Sequence, residues 1–169
     1  MHANCQSAGW LISFSLDDPV GAEPIAKRNI FVNAHFRIEP CASCPIPGYL
    51  IISPRVPVSS LAELSPDAQA ALGATLVAAT RAIEAVVHPQ RVYCALFAEE
   101  TRSVHFHLFP RSEWLLLSYS RAHPEDTEIS GPRLMDWVRR TFRKPITGMH
   151  SDETFEKIRT RLTSSMIAG

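Results

Sequence analysis

Seventeen Lys and Arg face seventeen Asp and Glu in a chain of 169 residues, so neither charge is in excess. The chain therefore lacks the general attraction to a polyphosphate backbone or an anionic membrane surface that an unequal balance supplies, and neither nucleic acid nor membrane is an expected partner. Cysteine is scarce as well. Four residues do not build a disulfide scaffold, and in a reducing compartment they are thiols or metal ligands. No apolar run approaches the ~18 residues of a membrane-spanning helix, since Leu115-Leu116-Leu117 is bounded by Trp114 and Ser118. The first residues carry no basic segment, and their apolar part, Trp10 to Phe14, is shorter than the ~7 to 15 residues at the centre of a secretion signal. A cytoplasmic address is the expectation.

What remains is the composition of an ordinary globular chain, 46% hydrophobic and 20% charged, at a length near the ~150 residues of one domain. Six of the thirteen prolines fall between Pro40 and Pro66, which excludes helix there. Asn29 to Ile38 reads as a strand and Gly48 to Ser53 as a second, more buried one, with a proline-bounded loop between them. Ser65-Pro66-Asp67 supplies a cap, a first-turn proline and a first-turn acid. Leu72, Leu76, Ala79, Ile83 and Val86 then recur on one face, which predicts a long helix over 66–87. Arg91 to Phe97 and Ser103 to Phe109 read as two more strands, and Ser130 and Ser151 each open a further helix. The order predicts an α+β fold with a mainly antiparallel sheet, one long helix on it and additional C-terminal helices.

The segment Ser103-Val104-His105-Phe106-His107-Leu108-Phe109-Pro110-Arg111 is the one that carries chemistry. On a strand its side chains alternate, so Ser103, His105 and His107 share an open face while Val104, Phe106 and Leu108 enter the core, and the two histidines stand ~7 Å apart. A neutral imidazole can attack phosphorus and its neighbour can donate to an oxygen of the same group, which suits nucleotidyl transfer through a covalent phosphohistidine. Two histidines at this spacing can equally ligate a metal, or simply face solvent.

This segment resembles the signature of the histidine triad superfamily, three histidines alternating with hydrophobic residues and followed by Pro-Arg. Pro47-Gly48-Tyr49-Leu50-Ile51-Ile52-Ser53-Pro54-Arg55 is similar to that superfamily's Pro-Gly-His strand, and Ser60-Leu61-Ala62-Glu63-Leu64-Ser65 to the lead-in to its long helix. The resemblance spans about 29–111. It implies one domain over 1–169 with that core and a helical extension over about 130–166. It also implies a homodimer, a nucleotide ligand, and hydrolysis or transfer on dinucleoside polyphosphates or nucleoside phosphoramidates, with no cofactor required. His105 then matches the nucleophile and His107 the third histidine.

Departures from the pattern are equally specific. Ser103 stands in place of the first histidine, where a hydroxyl can orient His105 or a water but is not an imidazole. Ala98-Glu99-Glu100-Thr101-Arg102 replaces a glycine-rich phosphate loop, leaving Thr101 and Arg102 as its possible phosphate contacts beside Glu100. Arg37, next to Ile38, matches the acid that grips the ribose, although Glu39 lies close by, and Val56 replaces a further histidine. These changes keep open a second reading, a non-catalytic nucleotide-binding or regulatory protein on the same fold. A third is a metalloprotein using His105 and His107. Cys41-Ala42-Ser43-Cys44 has zinc-ligand spacing, but a closed structural site needs four ligands, and Cys5, His2 and His35 would have to come from afar. Plain thiols in a loop are the expectation. Arg139, Arg140, Arg143 and Lys144 read as solvated charge at a helix end, with anion binding as the alternative.

Overall fold

The computed structural model describes residues 29–99, 101–144, 146 and 151–167. Glu100, His2 and Cys5 lie outside the described residues. Five strands, β1 (Phe31–Val32), β2 (Phe36–Pro40), β3 (Leu50–Pro54), β4 (Arg91–Ala95) and β5 (Phe106–Arg111), form one sheet in the order β1-β2-β3-β5-β4, every neighbouring pair antiparallel. Four α-helices are added: α1 (Pro66–Val87), α2 (Glu113–Ala122), α3 (Gly131–Thr141) and α4 (Ser151–Ile167).

The first expected strand is a hairpin. Asn33 Oδ1 accepts from the backbone N–H groups of His35 (2.9 Å) and Phe36 (2.7 Å), which turns the chain between β1 and β2. An Asn side chain that bonds its own backbone a few residues on competes with the ladder, and here it wins. The Asn33 amide also donates to Thr75 Oγ1 of α1 (3.2 Å), fixing the hairpin to the helix.

Helix α1 has the predicted bounds. Ser65 Oγ accepts from Ala68 N–H (3.3 Å), and the helix stops at His88 in the left-handed conformation before Pro89. Small residues, Ala68, Ala79 and Ala82, share its buried side with Thr75 and Ile83 and bring it close to the sheet. An 18-residue window of α1 has a mean hydropathy of 1.5, enough by length and composition to cross a membrane. That corrects the expectation that no stretch is so apolar; alanine and glycine conceal it from a search for leucine-rich runs. The turn into β3 requires Gly48, whose φ is +79° and where a Cβ would stand 2.6 Å from Val87 Cγ2.

The sheet is covered on both faces. On one, α1 and α4 pack against Phe36, Ile38, Ile52, Val104, Phe106 and Leu108, with α4 contributing Phe155, Ile158 and Leu162. On the other, Leu115 and Tyr119 of α2 and Leu134, Met135 and Val138 of α3 pack on Tyr49, Phe109, Cys41 and Cys44. Helix α2 is absent from the sequence-based expectation, because Trp114 to Leu117 is apolar at every position and shows no 3.6-residue alternation.

Candidate functional site

The register places the candidate residues in rows across the sheet. Glu39 of β2 pairs with Ile51 of β3, Ile51 with His107 of β5, and His107 with Ala95 of β4, so these four share one face. Arg37, two residues from Glu39, shares it and is exposed, whereas Ile38 points the other way into the core under α1. Val104, Phe106 and Leu108 are buried as expected. Thr101, Arg102 and Glu99 are exposed in the loop before β5. In that loop Ala98 has φ +52°, in the left-handed region that favours glycine.

His105 lies just before β5, in a stretch tied down by Val104 N–H donating to the Val58 carbonyl (2.8 Å). Its Nδ1 is 2.9 Å from the Ser103 carbonyl oxygen. A carbonyl only accepts, so Nδ1 carries the proton and the neutral ring keeps its lone pair on Nε2. Ser103 thus contributes its backbone to the orientation of His105.

His107 differs from its expected placement on an open face. It is only 4% exposed, with the rings of Tyr49, Phe97 and His105 packed around it. The ring centroids of His105 and His107 are 4.8 Å apart, nearer than the strand repeat, because His105 precedes the regular strand and its ring turns edge-on to its neighbour. His107 Nδ1 is 2.9 Å from Tyr49 Oη. A phenol is the better donor and an imidazole nitrogen the better acceptor, so we assign the Tyr49 proton to this bond and the ring proton of His107 to Nε2. Burial, and with it Cys41, pushes the Tyr49 phenol above its ordinary value, which keeps it a donor. Tyr49 was not among the candidates from sequence; the signal was the Pro47-Gly48-Tyr49 sequence, where the superfamily pattern has a histidine.

Burial above all, then His105 and Arg139, lowers His107 from the ordinary 6.5 to about 4. The unfolded chain then takes up a proton at His107 as the pH falls through 6.5, while the native protein refuses it until about 4, so native stability declines over that window. Between pH 7 and 4.5 the wild type is expected to lose about 2 to 3 kcal/mol more than His107→Asn, measured by denaturant unfolding. Equal losses in the two proteins, or an NMR titration of the His107 ring near 6.5 in the wild type, would remove this assignment.

Cys41 and Cys44 are buried in the core between the sheet and α3, at two ends of a turn in which Cys44 N–H donates to the Cys41 carbonyl (3.3 Å). Burial, reinforced by Cys41, pushes the Cys44 thiol up to about 12. Both fit packing thiols better than reactive ones. Among the described residues no group of three or more His, Cys, Asp or Glu side chains gathers around a common point. Of the basic cluster, Arg140, Arg143 and Lys144 are exposed, Arg140 paired with Asp136 (2.8 Å), while Arg139 is half-buried.

No family model matches the sequence, and no curated protein is significantly similar to it. Solved structures are. A zinc-bound histidine triad family protein from Mycobacterium smegmatis has a TM-score of 0.55 at 16% identity, over 83% of this chain and 87% of that one. A hypothetical histidine triad nucleotide-binding protein from Sulfolobus tokodaii gives 0.55 at 13% identity, over 81% and 84%. A Hit-like protein involved in cell-cycle regulation from Bartonella henselae gives 0.51 at 13%, over 79% and 84%. At 13–16% identity these likenesses concern the fold and not the side chains: this chain has a histidine triad-like fold.

Proposed function

We propose that this protein binds a nucleotide and cleaves it through a covalent intermediate on His105, acting on nucleoside phosphoramidates or dinucleoside polyphosphates. The observation that carries the reading is the 2.9 Å bond from His105 Nδ1 to the Ser103 carbonyl. It leaves Nε2 as the nucleophile. Attack forms a bond from Nε2 to the α-phosphorus and breaks the bond to the leaving nitrogen or oxygen, which departs with the electron pair and takes a proton from solvent. The nucleotidylated ring is then an imidazolium whose Nδ1–H still points at a carbonyl oxygen, so its positive charge is stabilised. Water attacks the phosphorus, the bond to Nε2 breaks, and a nucleoside monophosphate leaves with His105 restored.

His107, neutral and held by Tyr49, keeps Nε2–H available for an oxygen of the reacting group. The chemistry is complete without a metal. A homodimer belongs to this reading. What supports it is the outer edge of β4, unpaired among the described residues, and the exposed apolar Val77 on the adjacent helix. The test is to mix the protein with a nucleoside phosphoramidate, quench in acid-free denaturant and weigh the intact chain. A mass gain of one nucleotidyl group on the peptide containing His105 is the expected result.

One observation favours a second reading, a nucleotide-binding protein without turnover. Ser103 offers no imidazole to protonate a leaving group, and exposed Glu99 sits in the loop that would meet the phosphates. Binding of nucleotide with neither adduct nor product is the outcome that selects it.

A further inference from the structure

Resting on the nucleotide reading, we propose that Ser53 of β3 is a ligand contact beside His105 and that Arg37 of β2, next in the same row, receives a second phosphate group. The substrate class is then a nucleotide carrying a phosphate beyond the one that reacts.

The placement follows from register. Leu50, Ile51 and Ile52 of β3 pair with Leu108, His107 and Phe106 of β5, and one step further brings Ser53 opposite His105. On its other side Ser53 pairs with Arg37. Phe36 and Ile38 flank Arg37 and enter the core under α1, as Leu50 and Ile52 do on either side of Ile51, so Arg37, Ser53 and the histidines share the opposite face. Two inter-strand spacings separate Arg37 from His105, ~10 Å. Side chains stand roughly perpendicular to a sheet, so Arg37 meets a different part of the ligand from the one at His105.

Two properties of this row point to a ligand. Ser53 is only 7% exposed, and its hydroxyl makes no hydrogen bond among the described residues. A buried hydroxyl without a partner costs free energy that a bound acceptor recovers. It is not sealed in, since among the described residues the Ser112 hydroxyl alone is both fully enclosed and unpartnered. Arg37 is exposed and likewise makes no hydrogen bond or ion pair among the described residues. Arg55, just after β3, is by contrast turned to the carbonyls of Asn33 (3.5 Å) and Ala34 (3.4 Å). The Ser53 hydroxyl can donate to a phosphoryl oxygen at His105, and the Arg37 guanidinium offers a planar fork of donors matched to a phosphate.

The experiment compares wild type, Ser53→Ala, Arg37→Gln, Arg37→Lys and Arg161→Gln by titration calorimetry with adenosine, AMP, ADP and adenosine 3′,5′-bisphosphate. Wild type is expected to bind at least one of the two-phosphate ligands about 10- to 100-fold more tightly than AMP. Which of them gains tells whether the second phosphate lies on the phosphate chain or on the ribose. In Arg37→Gln the gain is lost while AMP binds as before, and Arg37→Lys keeps part of it. Arg161→Gln, at an exposed arginine of α4 across the sheet, behaves as wild type. Ser53→Ala weakens AMP about 10-fold and leaves adenosine unchanged. Its denaturant midpoint does not fall, because no hydrogen bond within the protein is lost; a structural role for the hydroxyl would lower it. Equal affinity of wild type for AMP and both two-phosphate ligands overturns the proposal and leaves the nucleotide reading standing, as does a gain that survives in Arg37→Gln. Unchanged AMP binding in Ser53→Ala overturns the contact at Ser53, as does loss of adenosine binding equal to that of AMP. If wild type binds no nucleoside or nucleotide, the nucleotide reading fails and the proposal is overturned with it.

Discussion

Replacing His105 by Ala is expected to lower turnover of a nucleoside phosphoramidate by roughly 10⁴- to 10⁶-fold, the scale on which removal of a covalent nucleophile acts. The neighbouring imidazole cannot take over, because His107 Nδ1 accepts from Tyr49 and its Nε2 carries the ring proton, which leaves neither nitrogen a free lone pair. Intact mass of the quenched variant should show the unmodified chain alone. The fold should persist: His105 is half-buried, precedes the regular strand, and makes its hydrogen bond to a backbone carbonyl that water can reach once the ring is gone. A stability change within about 1 kcal/mol is expected. Undiminished turnover in a folded His105→Ala protein would remove His105 as the nucleophile and, with it, the covalent mechanism.

The second large effect concerns the leaving group. With a serine at position 103, nothing at that place protonates the departing amine or alkoxide, so substrates that need a proton should turn over slowly and activated esters should not. Ser103→His places an imidazole there while retaining the backbone carbonyl that orients His105. General acid assistance is worth about 10²- to 10⁴-fold. The variant should gain within that range on a phosphoramidate and change little on an activated ester such as a nitrophenyl nucleotide. Equal gains on both substrates would indicate better binding and not proton transfer. No gain on either would mean that protonation does not limit the wild type.

The parts of this fold that could be read in advance are those in which one local signal dominates. Ser65, Pro66 and the residues after them specify α1 to the residue, because cap, proline and buried stripe agree. The burial of Val104, Phe106 and Leu108 follows from alternation alone. The misreadings have equally definite causes. A single side chain, Asn33, breaks the first strand by taking two backbone N–H groups. At His107 the misreading is non-local: alternation correctly assigns its face, but whether that face meets water depends on Tyr49 and Phe97, which lie outside the triad segment in the chain. Tyr49 belongs to the same class. It reaches His107 only once β3 lies beside β5, and no spacing within either segment encodes that meeting.

The position of His105 one residue ahead of β5 has a consequence for motion. Strand β5 is hydrogen-bonded along both edges and covered on both faces, so its amide protons should exchange with solvent only through openings that disrupt much of the sheet. The preceding residues are outside that ladder, anchored through Val104 to the segment around Val58, where Val56 and Pro57 are exposed. The two imidazoles thus belong to regions of different local stability, His107 to the slowest-exchanging part of the molecule and His105 to its margin. Fluctuations that change the separation of the pair are expected to arise on the His105 side, where amide exchange before Phe106 should be faster than along β5.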